Sequence, residues 1–339
     1  MSAELAPLTT LRLGGPARRL VAAETEAELV AAVRAADAAR EPLLVLSGGS
    51  NVVIADAGFP GAVVHVRTRG VRRDGGALHV QAGEPWDELV ARTVAAGLQG
   101  FECLSGIPGS TGATPVQNVG AYGQEVAETV TAVRVLDRAT GAIETLPAAA
   151  CGFEYRRSIF KHDPRRIVLE VAFALREQPE SGPLRYAELA RTLAVPVGGR
   201  APLADVRDAV LALRRGKGMV LDPDDPDSVS AGSFFTNPIL APADFEGLAE
   251  RSPTPPPAFP EPDGRIKTSA AWLIERAGFG RGFGVGPVGI SSKHTLALVN
   301  RGGARTADLV ALARQIAGGV ERRFGVQLEP EPVFVGHDW

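Results

Sequence analysis

The residues whose types and spacing could do chemistry here are mostly small and uncharged. The stretch Phe101 to Gly123, FECLSGIPGSTGATPVQNVGAYG, holds five glycines and two prolines, and no residue from Cys103 to Gln124 carries a charge. Glycine loses the most entropy on ordering and proline lacks an N–H donor, so this composition predicts a shaped loop rather than a helix or strand. An anion held by such a loop is held by backbone N–H groups and by serine, threonine, glutamine and asparagine side chains, the chemistry of an anion-binding nest. That suits a pyrophosphate or the edge of a flavin ring. A second loop of the same kind, Ser47-Gly48-Gly49-Ser50-Asn51, ends the apolar run Pro42 to Leu46. A strand that delivers paired glycines lets backbone approach a phosphate closely.

Other chemistries find less support. The five histidines, His65, His79, His162, His294 and His337, show no metal-ligand spacing, and Cys103 and Cys151 fit no zinc pattern, so no metal is expected. No Gly-x-Ser-x-Gly elbow is present. Gly284-Val285-Gly286-Pro287-Val288-Gly289 matches a dinucleotide fingerprint by letter, but it does not open a helix, since Thr295 to Val299 reads as extended. The acidic run Leu221 to Asp227 carries two prolines and no glycine where a calcium loop turns sharply, and it reads as a solvated turn.

The elements that must position the loops follow from periodicity. Thr25 and Glu28 form a capping-box signature ahead of a helix over 24–40, and Leu43 to Leu46 and Val52 to Ile54 read as strands. A second unit begins near Thr68. It has a strand at Ala77 to Val80, a helix from Trp86 stopped by Gly97, then the long neutral loop, then strands at 130–137 and 142–146. Strict alternation of Ile167, Leu169, Val171, Phe173 and Leu175 predicts a strand with one face in a core. Residues 178–202 read as loop around Leu184-Arg185-Tyr186-Ala187-Glu188-Leu189, and 203–215 as the helix that closes the unit. The proline-rich segment 252–262 predicts a stiff connector. Helices follow at 268–277 and 306–324, the latter with Thr306 as its cap, and the chain finishes in an edge strand over 328–335.

Composition bounds the rest. A length of 339 residues with 45% hydrophobic content predicts two or three domains. A formal charge of −3 leaves no electrostatic footprint for nucleic acid or an anionic membrane, which points to small-molecule partners. No run of about 18 apolar residues occurs and the N-terminal stretch has no signal-peptide pattern, so a cytoplasmic protein is expected, its two cysteines reduced and buried.

Six motifs occur in register: Ser47 to Asn51, Gly106-Ile107-Pro108-Gly109-Ser110, Pro115 to Gly123, Tyr155-Arg156-Arg157-Ser158-Ile159-Phe160-Lys161, Ala231-Gly232-Ser233-Phe234-Phe235, and Leu328-Glu329-Pro330-Glu331. Together they resemble the UDP-N-acetylenolpyruvoylglucosamine reductases, over almost the whole chain from Leu8 to Gly336. The resemblance implies an α+β architecture with an FAD-binding fold of the vanillyl-alcohol-oxidase type. It implies flavin-binding subdomains at 1–67 and 68–217, a substrate-binding α+β domain at 218–327, and a C-terminal strand at 328–339 returning to the active site. It also implies non-covalent FAD, with NADPH as co-substrate and a nucleotide sugar sharing one pocket in turn, and a monomer. Tyr186 resembles the lid of the longer subgroup. Ala113 and Thr114 stand where the family often has two serines, and Thr236 where many members have lysine.

By that resemblance the flavin is held by Ser47, Gly48, Gly49, Ser50, Asn51, Gly109, Ser110, Thr114, Gln117, Asn118 and Gly120. Reduction of an enolpyruvyl ether needs a hydride, which no side chain supplies, an acid, and a group to stabilise an enolate. Hydride is expected from flavin N5. Arg156 is the candidate for enolate stabilisation, because its planar fork stays charged at any working pH. Ser233 is the candidate proton donor. Glu331 is the candidate that orients the carboxylate end, although Glu329 has the same claim from spacing alone. Lys217 is assigned to the substrate pyrophosphate, and Tyr122, Tyr186, Asn237 and His294 to further substrate contacts. Two other readings fit these letters: a flavin-dependent sugar or alcohol oxidase on the same scaffold, marked by rapid reoxidation by oxygen, and a nucleotide-sugar binding module without turnover.

Overall fold

The structure, a computed structural model, describes residues 3–339. The chain forms two compact units. The first is built chiefly from Pro16–Gly49 and Phe59–Gly216, the second from Glu4–Gly15, Ser50–Gly58 and Lys217–Trp339.

In the first unit, strands Pro16–Ala23 and Leu43–Leu46 both pair in parallel with Phe59–Val66. Parallel pairing requires a crossover, and helix α1 (Glu26–Ala38) supplies it. The predicted capping box is present: Thr25 accepts from the Glu28 N–H, and the Glu28 carboxylate accepts from the Thr25 N–H. Leu29, Val30 and Val33 of α1 are buried against Ala23, Val64 and Val66. A five-stranded antiparallel sheet follows, in the order Ile143–Pro147, Val130–Asp137, Arg166–Ala174, Ala77–Gln81, Val71–Asp74. In its central strand Ile167, Leu169, Val171 and Phe173 are all buried, as the alternation requires.

Helix α2 (Trp86–Ala95) packs on this sheet and ends where Gly97 takes φ +68. Its Trp86 ring lies 4.8 Å from Phe101, which meets Phe173 edge-on at 4.9 Å. Such ring pairs add about 0.5–1.5 kcal/mol beyond burial. Trp86 Nε1 also donates to the Leu104 carbonyl at 3.1 Å, so the root of the neutral loop is pinned by one side chain. Residues 178–202 are not all loop: Ala187–Thr192 forms a short helix, α3, because Leu189 and Ala190 find cover against Val206 and Val210 of helix α4 (Leu203–Gly216).

The second unit is centred on the antiparallel sheet Ser230–Ser233, Ala297–Asn300, Val288–Ile290. Helix α5 (Pro242–Glu250) and helix α6 (Ala270–Arg276) flank a smaller sheet of Ile239–Leu240, Ile266–Lys267 and Phe259–Pro260. The proline-rich connector is therefore partly a strand. Its prolines are tolerated because Phe259–Pro260 lies at the sheet edge. The acidic turn is likewise less solvated than expected, since Asp227 accepts from the Ser292 N–H at 3.0 Å and hydroxyl at 2.6 Å, and Asp225 pairs with Lys293 at 2.8 Å. Val333–Val335 runs parallel to Val52–Ile54, a short pair that joins the C-terminal segment to residues 50–58.

Helix α7 (Thr306–Phe324) corrects another expectation. Thr306 is its first helical residue rather than its cap, and its hydroxyl donates to the Ile54 carbonyl at 2.7 Å. The orphan N–H groups of Thr306 and Ala307 donate instead to the Asp56 carboxylate at 2.7 and 3.0 Å. Asp56→Ala strips that cap and is expected to destabilise the protein by about 0.5–2 kcal/mol. Urea denaturation followed by circular dichroism measures this, and an unchanged midpoint contradicts it.

Candidate active site

In the first unit the two neutral loops meet. Gly48 packs so tightly on the second loop that a β-carbon there would lie 2.4 Å from Gly109 Cα and 3.3 Å from the Ser110 N. The Ser47 and Ser110 hydroxyls are hydrogen-bonded to each other. Gly49, Gly106 and Gly109 take φ of +56, +72 and +113, conformations that glycine adopts without steric cost. The Gly109 carbonyl accepts from the Trp86 N–H at 3.0 Å, and Pro85 bridges Ser110, so α2 holds the second loop from behind. Ser110 is buried, while Ser47 and Gly109 remain partly open to solvent. Ser50 and Asn51 of the first motif belong to the second unit.

Farther along, the loop carries strain. Asn118, Tyr122 and Arg156, none of them glycine, take φ of +46, +50 and +54. Left-handed backbone at such residues costs of order 1–3 kcal/mol each and gathers at functional sites. The strain is maintained by a dense set of bonds. Buried Asn118 donates from Nδ2 to the Glu125 carboxylate at 2.7 Å and the Glu154 carbonyl at 3.1 Å, while its Oδ1 accepts from the Ala127 N–H. Tyr155 and Arg156 form the apex of a tight turn in which Glu154 and Arg157 exchange backbone hydrogen bonds. The Arg156 guanidinium donates to the Gly120 carbonyl at 2.6 Å, lies over the Tyr155 ring at 5.1 Å and comes within 3.7 Å of Glu125. A β-carbon at Gly120 would sit 2.9 Å from that guanidinium.

Tyr122 meets Tyr186 edge-on, ring centroids 5.3 Å apart, and Arg185 beside it donates to Glu128 at 3.0 Å. The segment expected to act as a lid therefore rests on the neutral loop, with Tyr186 itself exposed. Gln117 is half-buried on the same loop. Thr114 is buried, and its hydroxyl donates to the Thr111 carbonyl at 2.8 Å, which leaves the oxygen lone pairs to accept.

In the second unit Ser233 ends its strand just past a bulge, after Gly232 at φ +74. The next residues, Phe234 and Phe235, are buried anchors. The segment 234–236 pairs antiparallel with 329–331: the Phe234 carbonyl accepts from the Glu331 N–H at 2.8 Å, and the Glu329 carbonyl from the Thr236 N–H at 3.0 Å. Glu331 thus stands opposite the neighbour of Ser233 and is half-buried, whereas Glu329 lies farther along and is exposed. Asn51 joins them, donating from Nδ2 to the Glu331 carbonyl at 3.3 Å and accepting from the Val333 N–H at 2.9 Å. Asn237 has a structural duty, its Oδ1 accepting from the Ala270 N–H at 3.0 Å at the start of α6. His294 and Lys217 are both half-buried, so Lys217 is not the solvated helix-end residue its position suggests.

Residues 17–147 match the family described as FAD binding domain, and residues 224–335 that described as UDP-N-acetylenolpyruvoylglucosamine reductase, C-terminal domain. Proteins named UDP-N-acetylenolpyruvoylglucosamine reductase from Streptomyces coelicolor and Salinispora arenicola are 58% and 60% identical, each over 98% of this chain and 89% and 94% of their own. The chain belongs to the UDP-N-acetylenolpyruvoylglucosamine reductase family. The crystal structure of the Thermus caldophilus reductase aligns with 99% of the chain and 98% of its own at a TM-score of 0.68 and 29% identity. The α+β flavin-binding fold of the vanillyl-alcohol-oxidase type is therefore the fold present.

The first unit fits the family's FAD. Two left-handed glycine turns pressed together, with paired hydroxyls and no charge, are suited to a diphosphate held by N–H groups. Sequence reasoning missed the acidic residue that braces this cradle. Asp87 accepts from the Gly106 N–H at 2.6 Å and from Arg207 at 2.6 and 2.9 Å. Burial pushes its carboxyl upward, but the Arg207 guanidinium and the Gly106 N–H outweigh this and hold it below its ordinary value. Its place in the first turn of a helix was the available signal, and that reads equally as dipole complementation. Cys103 and Cys151 are buried, which pushes the Cys151 thiol up to about 11 and the Cys103 thiol higher still, so neither is a nucleophile at neutral pH.

Proposed function

We propose that this protein reduces the enolpyruvyl ether of UDP-N-acetylglucosamine-enolpyruvate to UDP-N-acetylmuramate, a peptidoglycan precursor, with electrons from NADPH. The observation that carries the reading is the identity with reductases of that name over 98% of the chain. Bound FAD, held by the residues named below, would supply a two-electron carrier between NADPH and the enolpyruvyl ether.

The remaining work falls to side chains. Arg156, pre-aimed by the Gly120 carbonyl and the Tyr155 ring, stabilises the enolate that develops on the substrate carboxylate as hydride arrives. Ser233 gives its proton to the neighbouring carbon, completing net addition of H− and H+ across the double bond. A hydroxyl is a weak acid, and the role is supported by the anchoring of Ser233 before two buried phenylalanines. Glu331, beside that strand end, orients the carboxylate of the substrate. Ser47, Gly48, Gly49, Ser50, Asn51, Gly109, Ser110, Gln117, Asn118 and Gly120 hold FAD, with Thr114 as an acceptor. Lys217 takes the substrate diphosphate, and Tyr122, Tyr186, Asn237 and His294 line its sugar and nucleotide.

Within this reading residues 1–67 and 68–217 are flavin-binding subdomains, supported by the two separate sheets of the first unit for all but 4–15, 50–58 and 217, which pack in the second unit. Residues 218–327 bind substrate, and 328–339 return carrying the last strand, Val333–Val335, which is shorter than the sequence pattern suggests. The protein acts as a cytoplasmic monomer with neither nucleic acid nor membrane as partner, in keeping with its charge of −3.

Purified protein is expected to be yellow, to release its FAD into the supernatant on acid precipitation, and to oxidise NADPH only when the enolpyruvyl sugar is present. A colourless protein that takes up no FAD contradicts the reading. Rapid reoxidation by oxygen without the sugar identifies an oxidase instead.

A further inference from the structure

The carboxylate of Glu125 lies at the centre of the strained part of the neutral loop. One of its oxygens accepts from Asn118 Nδ2 at 2.7 Å, and the other lies 3.7 Å from the Arg156 guanidinium. Its own backbone is clamped: the Glu125 N–H donates to the Glu128 carboxylate at 3.1 Å, and the Glu125 side chain accepts in return at the start of the 3₁₀ turn Val126–Glu128. Gly120 is the space this arrangement requires, since a β-carbon there would fall 2.9 Å from both the Arg156 guanidinium and Glu125 Cγ. The three residues interlock, and the two flanking ones carry left-handed backbone.

We propose that Glu125 is a positioning residue for Arg156, acting with the Gly120 carbonyl and the Tyr155 ring to hold the direction of its guanidinium for the oxidative half-reaction. The assignment rests on the role given to Arg156 above. A guanidinium recognises a carboxylate through a planar fork, so its stabilisation of a developing enolate depends on orientation as much as on charge. Glu125 also subtracts charge from the site, which opposes the same step. The subtraction is the smaller effect, because Glu125 is more than a third exposed and its field is screened by water. Misalignment is not screened, and small displacements at a reacting centre cost about tenfold to 10²-fold.

The test uses the FAD-loaded enzyme and stopped-flow absorbance, which reads flavin reduction by NADPH and reoxidation by the enolpyruvyl sugar separately. Glu125→Gln keeps an oxygen for Asn118 and removes the ion pair. Glu125→Asp keeps the charge and withdraws it by one methylene. Both are expected to slow reoxidation about tenfold relative to reduction, with the loss in kcat rather than KM. A thermal melt and the FAD-to-protein ratio verify that each variant is folded. Equal slowing of both half-reactions, no slowing in either variant, or faster reoxidation in Glu125→Gln overturns the assignment, the last showing that Glu125 acts only as a counter-charge. If reduced wild-type enzyme is not reoxidised by the sugar at all, the proposed activity fails, and this assignment with it.

Discussion

Ser233→Ala is expected to leave flavin reduction by NADPH within a factor of about two and to slow reoxidation by the enolpyruvyl sugar by roughly 10²-fold or more, the scale of a lost general acid. The asymmetry follows from the chemistry, because only the second half-reaction adds a proton to carbon. It follows from position as well. Ser233 closes its strand beyond a bulge, and a chain with Phe234 and Phe235 sunk in the core has little freedom to bring another hydroxyl to the same place. Removing one half-buried oxygen leaves that packing intact, so the variant should melt with the wild type. Stopped-flow traces of the two half-reactions decide the matter: equal losses in both make Ser233 a structural residue of its turn.

Gly48→Ala is expected to weaken FAD binding by about 10²-fold, the equivalent of two charge-assisted hydrogen bonds at about 1.5 kcal/mol each. The added methyl would meet Gly109 Cα at 2.4 Å, and backbone cannot swing aside as the tip of a side chain can. The two turns must separate, and the N–H groups they aim jointly are no longer aimed together. Gly76→Ala is the control, since a β-carbon there meets nothing within 4 Å. Titration of apo-protein with FAD, followed by quenching of flavin fluorescence, measures both. Wild-type affinity in Gly48→Ala would mean that the glycine contact does not shape the diphosphate cradle.

What was legible in the sequence was local. The Thr25–Glu28 capping box, the stop at Gly97 and the alternation from Ile167 to Phe173 each depend on residues a few positions apart, and each is present. The neutral loop was legible because its composition disfavours long helices and strands, and the regular structure it does hold is short: the 3₁₀ turns Glu102–Leu104 and Thr111–Ala113 and the two-residue strand Gly120–Ala121. The illegible parts depend on distant partners. Thr306 has the right chemistry for a helix cap, yet Asp56, 250 residues earlier, occupies that place. Residues 187–192 look like loop because a helix of that length is not stable alone, and it forms only where Leu189 is covered. Spacing could not separate Glu329 from Glu331, since two residues apart on a strand share a face. Pairing with Phe234 and Thr236 distinguishes their surroundings, and that register is set by the fold rather than by either neighbourhood.

The second unit is assembled from three stretches of chain, the first beginning at Glu4 and the last ending at Trp339. Its two-stranded parallel pair waits for Val333–Val335, and its longest helix is capped by a residue made 250 positions earlier. On the ribosome, residues 4–15 and 50–58 therefore emerge long before the partners that will cover them, while the first unit has all of its strands once residue 177 is out. Synthesis from the N-terminus completes the strands of the first unit before the second unit has all of its own, so the first has the earlier opportunity to fold.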